Sequence, residues 1–345
     1  MSGHIQPELS NSMIDTDRFK STFEGKRILI TGGTGSLGKE LTKVLLSMNP
    51  EMIRIFSRDE EKQWTMKNSI KSGGVELDFK IGDIRDYYSV ISALDDIDIV
   101  FSAAALKQVP ACETAPFQAV QTNIHGPENI VRAIESLKLP VKLVVGISTD
   151  KACKPVTAMG ISKAMQEKIF IHGNLRCKNT KFVCARYGNI LGSRGSLIPL
   201  FLEQAKQRTP ITVTSTEMTC FLMSIEEAIH LILTGASVGL PGETFIPKPV
   251  SSRVMDIATI FSEKFDLPIK LIGIRPGEKV HEILINEEEL FHTIEGSDHY
   301  HIASSLIPDN RDIEPLNMTE LSSSQNIVSR DVVEKKLTEL GFIGN

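Results

Sequence analysis

Short apolar runs alternate with amphipathic segments over the first half of the chain. The apolar runs have the length and composition of buried strands and occupy residues 27–30, 52–56, 79–81, 97–101, 141–147 and 182–185. After the first run, Leu37, Leu41 and Leu45 recur at the spacing of one helix face. Because strands alternate with helices, we predict an α/β fold built on a doubly wound parallel sheet.

The alternation weakens after about residue 190, where glycine and proline recur at Gly192, Gly195, Pro199 and Pro210. This change predicts a smaller C-terminal lobe of helices and short strands. We therefore divide the chain into four parts. These are an N-terminal extension (1–24), a sheet domain (25–190), a lobe that interleaves with the sheet domain (191–305) and a C-terminal tail (306–345).

Composition excludes several classes of protein. The net charge of −5 argues against a nucleic-acid coat or a polybasic membrane anchor. The five cysteines are scattered without zinc-type spacing, which is typical of reduced thiols, and no metal site is expected. The polar N-terminus lacks the apolar core of a signal peptide, and no apolar run approaches the ~20 residues of a membrane span. We expect a soluble, cytoplasmic protein.

A glycine-rich turn, Thr-Gly-Gly-Thr-Gly-Ser-Leu-Gly at residues 31–38, separates the first predicted strand from the first predicted helix. Such a turn lets the backbone approach a pyrophosphate, which the helix N-terminus then faces. In this strand–turn–helix context the motif predicts a Rossmann-type, NAD(P)-binding domain. The predicted cofactor contacts in the turn are Gly32, Thr34, Gly35, Ser36, Leu37 and Gly38.

Residues at the ends of the next strands refine the cofactor prediction. Arg58, with Ser57 and Lys62, favours the 2′-phosphate of NADP, whereas Asp59 keeps NAD as the alternative. Asp83, followed by Ile84, is placed either to meet the adenine amine or to cap a helix. The small residues Ala103 and Ala104 follow the fourth strand and let the chain pass close to the cofactor.

The segment after the fifth strand carries the candidate chemistry. Asp150 and Lys151 stand where ligands bind in open parallel sheets, and a turn there would direct both side chains into one cleft. Many nicotinamide enzymes place an acid/base Tyr four residues before a Lys that binds the nicotinamide ribose. Here Met159 precedes Lys163, and a thioether cannot exchange a proton. Proton transfer would therefore fall to Asp150 and Lys151.

Six motifs together resemble the extended short-chain dehydrogenase/reductases and, more narrowly, the bacterial UDP-N-acetylglucosamine 4,6-dehydratases of polysaccharide biosynthesis. They lie at residues 31–38, 57–60, 104–110, 148–151, 186–189 and 275–279. Met159 and Lys163 resemble the branch with Met in place of Tyr, some members of which invert carbon 5. A departure is Cys220, where the related pattern has Arg.

The resemblance implies a UDP-sugar substrate, an NADP cofactor and a homo-oligomer, often a hexamer. It implies that Thr149 binds the carbon 4 hydroxyl, that a neutral Lys151 takes the carbon 5 proton and that a protonated Asp150 assists loss of the carbon 6 hydroxyl. Burial is expected to favour both of these uncharged forms. The predicted substrate contacts are Lys107, Asn189, Arg275 and Glu278.

Two other functions stay open from the sequence. A UDP-sugar 4-epimerase needs the carbon 4 ketone but no elimination at carbon 6, so the Asp150–Lys151 pair argues against it. A non-catalytic NADP-binding protein would explain Met159 as a sign of lost activity.

Overall fold

The computed structural model describes residues 14–193, 195–274, 277–307, 311, 313–314 and 316–344. Its first half is a regular alternation of strands and helices. The elements are α1 (Asp17–Phe23), β1 (Arg27–Thr31), α2 (Ser36–Leu46), β2 (Met52–Ser57), α3 (Glu60–Ser69), β3 (Glu76–Ile81), α4 (Tyr87–Leu94), β4 (Ile99–Ser102), α5 (Val109–Thr114), α6 (Pro116–Ala119), α7 (Gly126–Leu137), β5 (Leu143–Thr149), α8 (Ala158–Arg176) and β6 (Lys181–Tyr187). A π-helical turn (Val120–His125) precedes α7, and a 3-10 turn (Asp150–Ala152) follows β5.

The second half has shorter elements. They are α9 (Leu197–Lys206), β7 (Ile211–Val213), β8 (Thr219–Leu222), α10 (Ile225–Val238), β9 (Thr244–Pro247), β10 (Val250–Arg253), α11 (Val254–Phe265), β11 (Ile269–Leu271), β12 (Ile283–Ile285), β13 (Thr293–Glu295), β14 (His299–Ile302), β15 (Leu321–Ser322) and α12 (Arg330–Glu339). A second 3-10 turn (Glu289–His292) precedes β13.

The large sheet of the described chain has nine strands in the order β13-β14-β9-β6-β5-β4-β1-β2-β3. Strands β1 to β6 are parallel, β9 joins parallel to β6, and the antiparallel hairpin β13–β14 completes that edge. All six predicted strands are present as β1 to β6, so the predicted doubly wound sheet is confirmed. The chain moves from β1 to β2 on one side and returns through β4 on the other, which opens a crevice at their carboxyl ends.

Helices cover both faces of the large sheet, as parallel strands require. One layer contains α1, α2 and α10, with Phe19, Phe23 and Leu41 in its core. The other contains α4, α7 and α8, with Ile130 and Phe170 in its core. Strand β5 is buried at its first six positions and lies at the centre of the sheet. The segment that follows β5 therefore starts from a central, largely buried strand.

A separate apolar core lies among α9, α11 and α12 and contains Phe201, Ile257, Phe261 and Leu337. The two-stranded sheets β7–β11 and β8–β10 flank it. The same half of the chain supplies β9, β13 and β14 to the large sheet, so the chain passes repeatedly between the lobe and the sheet. Across the described residues, none of the helices combines the length and apolar composition that crossing a membrane requires.

Candidate active site

The glycine-rich turn between β1 and α2 is packed too tightly to accept side chains. Gly32 has φ +66°, and a Cβ on it would lie 2.8 Å from the Cα of Ala104. A Cβ on Gly38 would lie 2.5 Å from the carbonyl oxygen of Gly33. Gly35 begins α2 without a capping side chain, which leaves the first N–H groups of the helix open to an anion. The turn therefore fits the pyrophosphate of a dinucleotide.

A cleft of about 560 Å³ opens beside this turn. Its lining includes seven of the predicted cofactor residues, namely Gly32, Thr34, Ser57, Arg58, Lys62, Ile84 and Ala104. The other predicted residues of the turn, Gly35, Ser36, Leu37 and Gly38, form the start of α2, and Ala103 backs Gly32. The structure thus gathers nearly all of these residues at one place, as a single cofactor site requires.

The side chains of Arg58 and Asp59, which follow β2, have different surroundings. Asp59 is the N-cap of α3: its carboxylate accepts the backbone N–H of Lys62 at 2.9 Å and pairs with the Lys62 ammonium. These hydrogen bonds lower the pKa of Asp59. The side chain of Arg58 is 55% exposed, and its guanidinium lies 3.9 Å from Asp83. Arg58 is therefore the more available of the two for a ligand.

The structure corrects one of the two expectations for Asp83. The N-cap of α4 is Asp86, which accepts the backbone N–H groups of Tyr88 and Ser89, so the helix-capping role of Asp83 is wrong. Asp83 instead accepts hydrogen bonds of 2.6 to 3.0 Å from the guanidinium of Arg85. Burial alone would raise the pKa of Asp83, but Arg85 outweighs it and the pKa is lowered. The adenine contact stays a prediction.

The 3-10 turn after β5 places the side chains of Asp150 and Lys151 in contact with each other. The hydroxyl of Thr149 donates to Asp150 Oδ1 at 2.9 Å, and the ammonium of Lys151 donates to the same oxygen at 3.0 Å. Asp150 is only 1% exposed, and its Oδ2 has no hydrogen-bond partner among the described residues. A buried carboxylate oxygen without a partner is costly, which marks Asp150 Oδ2 as an open hydrogen-bond acceptor of the cluster.

Glu282 is a member of this cluster that the sequence analysis does not predict. Its Oε1 accepts Lys151 Nζ at 3.0 Å, and Asn189 Oδ1 accepts the same nitrogen at 3.3 Å. With Asp150, these acceptors engage all three N–H groups of the Lys151 ammonium. His281 and Glu282 follow the motif at residues 275–279 in the sequence. No sequence feature near Glu282 indicates that it contacts Lys151.

The expectation that burial makes Lys151 neutral is wrong for this arrangement. Burial alone would lower the pKa of Lys151, but the charges of Asp150 and Glu282 outweigh it and raise the pKa well above the usual value. Burial raises the pKa of the Glu282 carboxyl, and the negative charge of Asp150 adds to that effect. The ammonium form of Lys151 is thus favoured here, while burial favours the protonated form of the Glu282 carboxyl.

Met159 and Lys163 lie on the first two turns of α8, which follows this cluster in the chain. Met159 is 3% exposed and packs against Cys112 and Ala119. The Lys163 ammonium donates to the carbonyl of Ile147 at 2.5 Å and to Gln166 Oε1 at 2.6 Å. Met159 therefore fills apolar space, and the ribose contact of Lys163 stays a prediction.

The stability of the protein is expected to rise with pH through Lys163. Burial lowers the pKa of Lys163 from 10.5 to about 8. Between these values the unfolded chain binds a proton that the folded chain does not, so deprotonation favours folding. Relative to Lys163→Met, the free energy of unfolding of the wild type should rise by about 2–3 kcal/mol between about pH 7 and about pH 10. Urea unfolding of both proteins measures this, and a difference independent of pH would contradict it.

A second cleft, of about 690 Å³, lies between the end of β5 and the C-terminal lobe. It is lined by three predicted substrate residues, Lys107, Asn189 and Glu278, together with Lys151, Glu282 and Cys220. Arg275, the fourth predicted substrate residue, lies outside the described residues. Burial raises the pKa of Cys220 to about 12, which keeps its thiol protonated where the related pattern has a cation.

Arg186, at the end of β6, links α8 to the second 3-10 turn. Its guanidinium contacts Glu167 of α8 and Glu289 of the second 3-10 turn, each through two hydrogen bonds of 2.7 to 3.0 Å. The hydroxyl of Ser148, two residues before Asp150, donates to Glu167 at 2.5 Å. The network therefore holds the end of β5 against the segment that follows Glu282.

The chain is similar to known proteins over most of its length. A family model described as "Polysaccharide biosynthesis protein" matches residues 28–304. A UDP-glucose 4-epimerase of Rickettsia bellii is 42% identical over 84% of this chain and 85% of its own length. A UDP-N-acetylglucosamine 4,6-dehydratase (inverting) of Campylobacter jejuni is 41% identical over 82% of this chain and 84% of its own length. The X-ray structure of Pen from Bacillus thuringiensis superimposes with a TM-score of 0.87 at 34% identity, covering 93% of this chain and 99% of Pen.

Proposed function

The chain belongs to the polysaccharide biosynthesis protein family of extended short-chain dehydrogenase/reductases that act on nucleotide sugars, and on that premise we propose that it is a UDP-N-acetylglucosamine 4,6-dehydratase. One observation carries the proposal: at the end of β5, Lys151 lines the second cleft and pairs with the buried Asp150 directly behind it in the chain. The segment after β4 lines both clefts, through Ala104 in the first and Lys107 in the second. A sugar in the second cleft would thus lie close to a cofactor in the first.

The cofactor, when bound, supplies a hydride acceptor for carbon 4 of the sugar and returns that hydride to carbon 6. The protein supplies the proton transfers. Thr149 positions the carbon 4 hydroxyl, and Asp150, whose Oδ2 has no hydrogen-bond partner in the described part of the chain, accepts the proton of that hydroxyl. Asp150 then gives this proton to the carbon 6 hydroxyl, which leaves as water. Lys151 takes the carbon 5 proton, which the neighbouring carbon 4 ketone makes acidic.

The assay that tests this function is an NMR analysis of the product from UDP-N-acetylglucosamine in heavy water. A 4-keto-6-deoxy sugar nucleotide with deuterium at carbon 5 is the expected result, and its coupling pattern reports retention or inversion there. Formation of UDP-N-acetylgalactosamine instead would support the 4-epimerase, which the relative from Rickettsia bellii keeps as the second candidate. Cofactor binding without turnover of UDP-, GDP- or dTDP-sugars would support a non-catalytic protein.

We also propose NADP as the cofactor, because Arg58 and Asp59 both line the first cleft but the Asp59 carboxylate is engaged at the start of α3. Arg58→Ala should weaken NADP binding by about 10- to 100-fold, the size expected for lost hydrogen bonds from a charged group. Binding of NAD, which lacks the 2′-phosphate, should change little. Calorimetric titration of the variant with both cofactors measures the difference, and equal losses for both would rule out this role.

A further inference from the structure

We propose that Glu282 is a positioning residue that acts through Lys151: it takes the proton of the Lys151 ammonium, so that the neutral amine can receive the carbon 5 proton. This inference rests on the proposed dehydration. It answers a difficulty in the resting arrangement, where Lys151 is a fully hydrogen-bonded ammonium and has no lone pair for a base.

The backbone holds Glu282 firmly in place. Its N–H donates to the hydroxyl of Ser323 at 2.9 Å, and its carbonyl accepts the N–H of Ser323 at 2.8 Å. Ser323 is 0% exposed and follows β15, which pairs with β12 directly after Glu282. The carboxylate therefore reaches Lys151 from a fixed strand of the C-terminal part of the chain.

One oxygen of the Glu282 carboxylate is available to accept a proton. Its Oε1 contacts Lys151, whereas its buried Oε2 has no hydrogen-bond partner among the described residues. Two carboxylates, Asp150 and Glu282, share the Lys151 ammonium in a largely buried cluster, so negative charge exceeds positive charge among these three groups, while the nearby charge of Lys279 partly opposes protonation of Glu282. Of the two, Asp150 already accepts hydrogen bonds from Thr149 and Lys151 on Oδ1, while burial favours the protonated form of Glu282.

The proton transfer is balanced at every stage. One N–H bond of Lys151 breaks and one O–H bond forms on Glu282, which converts an ion pair into a neutral pair. A sugar that closes the cleft excludes water and favours this neutral pair, because burying separated charges is costly. The amine then accepts the carbon 5 proton, later returns a proton to carbon 5, and recovers its original proton from Glu282 when the product leaves.

Glu282→Gln tests the proposal, because glutamine keeps the shape and a hydrogen-bond acceptor for Lys151 but cannot take up the proton. We expect kcat to fall on the order of 100-fold with KM and cofactor affinity nearly unchanged. The rate at which deuterium enters carbon 5 of the product should fall by the same factor as kcat. The remaining activity should rise about tenfold per pH unit on the alkaline side, since Lys151 must then lose its proton to water. The wild type should show no such rise.

A second readout does not require turnover. The NMR signal of Lys151, labelled by 13C-methylation and assigned with Lys151→Arg, should titrate at lower pH in Glu282→Gln than in otherwise wild-type protein. The matched control is Glu287→Gln, which removes a 62% exposed carboxylate paired with Lys154 and should change neither measurement. A Glu282→Gln variant with wild-type kcat, or with reduced kcat and an unchanged pH profile, overturns the inference. If the wild type makes no 4-keto-6-deoxy product, the proposed function fails instead, and the titration still shows whether Glu282 controls Lys151.

Discussion

We expect Asp150→Asn and Lys151→Met each to lower formation of the 4-keto-6-deoxy product by about 100- to 10,000-fold, while both variants should still bind NADP. Asparagine can neither accept the proton of the carbon 4 hydroxyl nor pass it to the carbon 6 hydroxyl. Methionine fills the space of the lysine without a group that can receive the carbon 5 proton. The glycine-rich turn and Arg58 are untouched by either change, which is why cofactor binding persists.

Product assays by NMR and calorimetric titration with NADP measure the two halves of this prediction. Lys154→Met is the matched control, because Lys154 lies three residues from Lys151 but is 38% exposed and pairs with Glu287 and Glu320 away from the cluster. It should retain full activity. Normal turnover by either active-site variant would remove that residue from the proposed mechanism, and loss of NADP binding would indicate a folding defect instead.

Arg186→Met is expected to lower the free energy of unfolding by about 3–5 kcal/mol, the usual cost of breaking a buried ion pair from one side. The side chain of Arg186 is 4% exposed, and its five N–H groups are used by Glu167, Glu289 and the carbonyl of Leu284. Methionine would leave two carboxylates without a cation. The one on Glu167 is itself only 4% exposed.

Urea unfolding measures this loss, with Arg176→Met as the matched control. Arg176 also contacts two carboxylates, Glu128 and Glu135, but its side chain is 21% exposed. Water can solvate the groups left behind, so the control should cost no more than about 1 kcal/mol. Equal losses in the two variants would show that burial of the Arg186 network contributes nothing special to stability.

The parallel sheet is readable from the sequence because its signals are local. An apolar run such as 141–147 specifies a strand buried on both faces, whatever lies elsewhere in the chain. The glycine turn is readable because its spacing stands between β1 and α2, although the close approach at Gly32 is to Ala103 and Ala104 after β4 and only that at Gly38 lies within the turn. The position of Asp150 and Lys151 then follows from strand order, because the carboxyl end of β5 is a binding edge.

Predictions from the sequence fail where a neighbouring residue of the same type performs the predicted role, as in helix capping. From the sequence, Asp83 is a candidate helix cap, but the structure shows that Asp86, three residues later, is the N-cap of α4. Element ends are less sharply encoded than element centres, so such a choice depends on the backbone path. Asp59 shows the opposite case: it caps α3, so its carboxylate is already hydrogen-bonded although Asp59 lines the first cleft beside Arg58.

The sequence by itself determined the fold, the dinucleotide turn and the pair Asp150–Lys151, because periodicity, turn chemistry and strand ends are written in neighbouring residues. Only the tertiary structure decided the charge state of Lys151. Glu282 reaches Lys151 from a distant part of the chain and raises its pKa together with Asp150. Electrostatic energy depends on distance and burial in space, which the order of residues along a chain does not reveal.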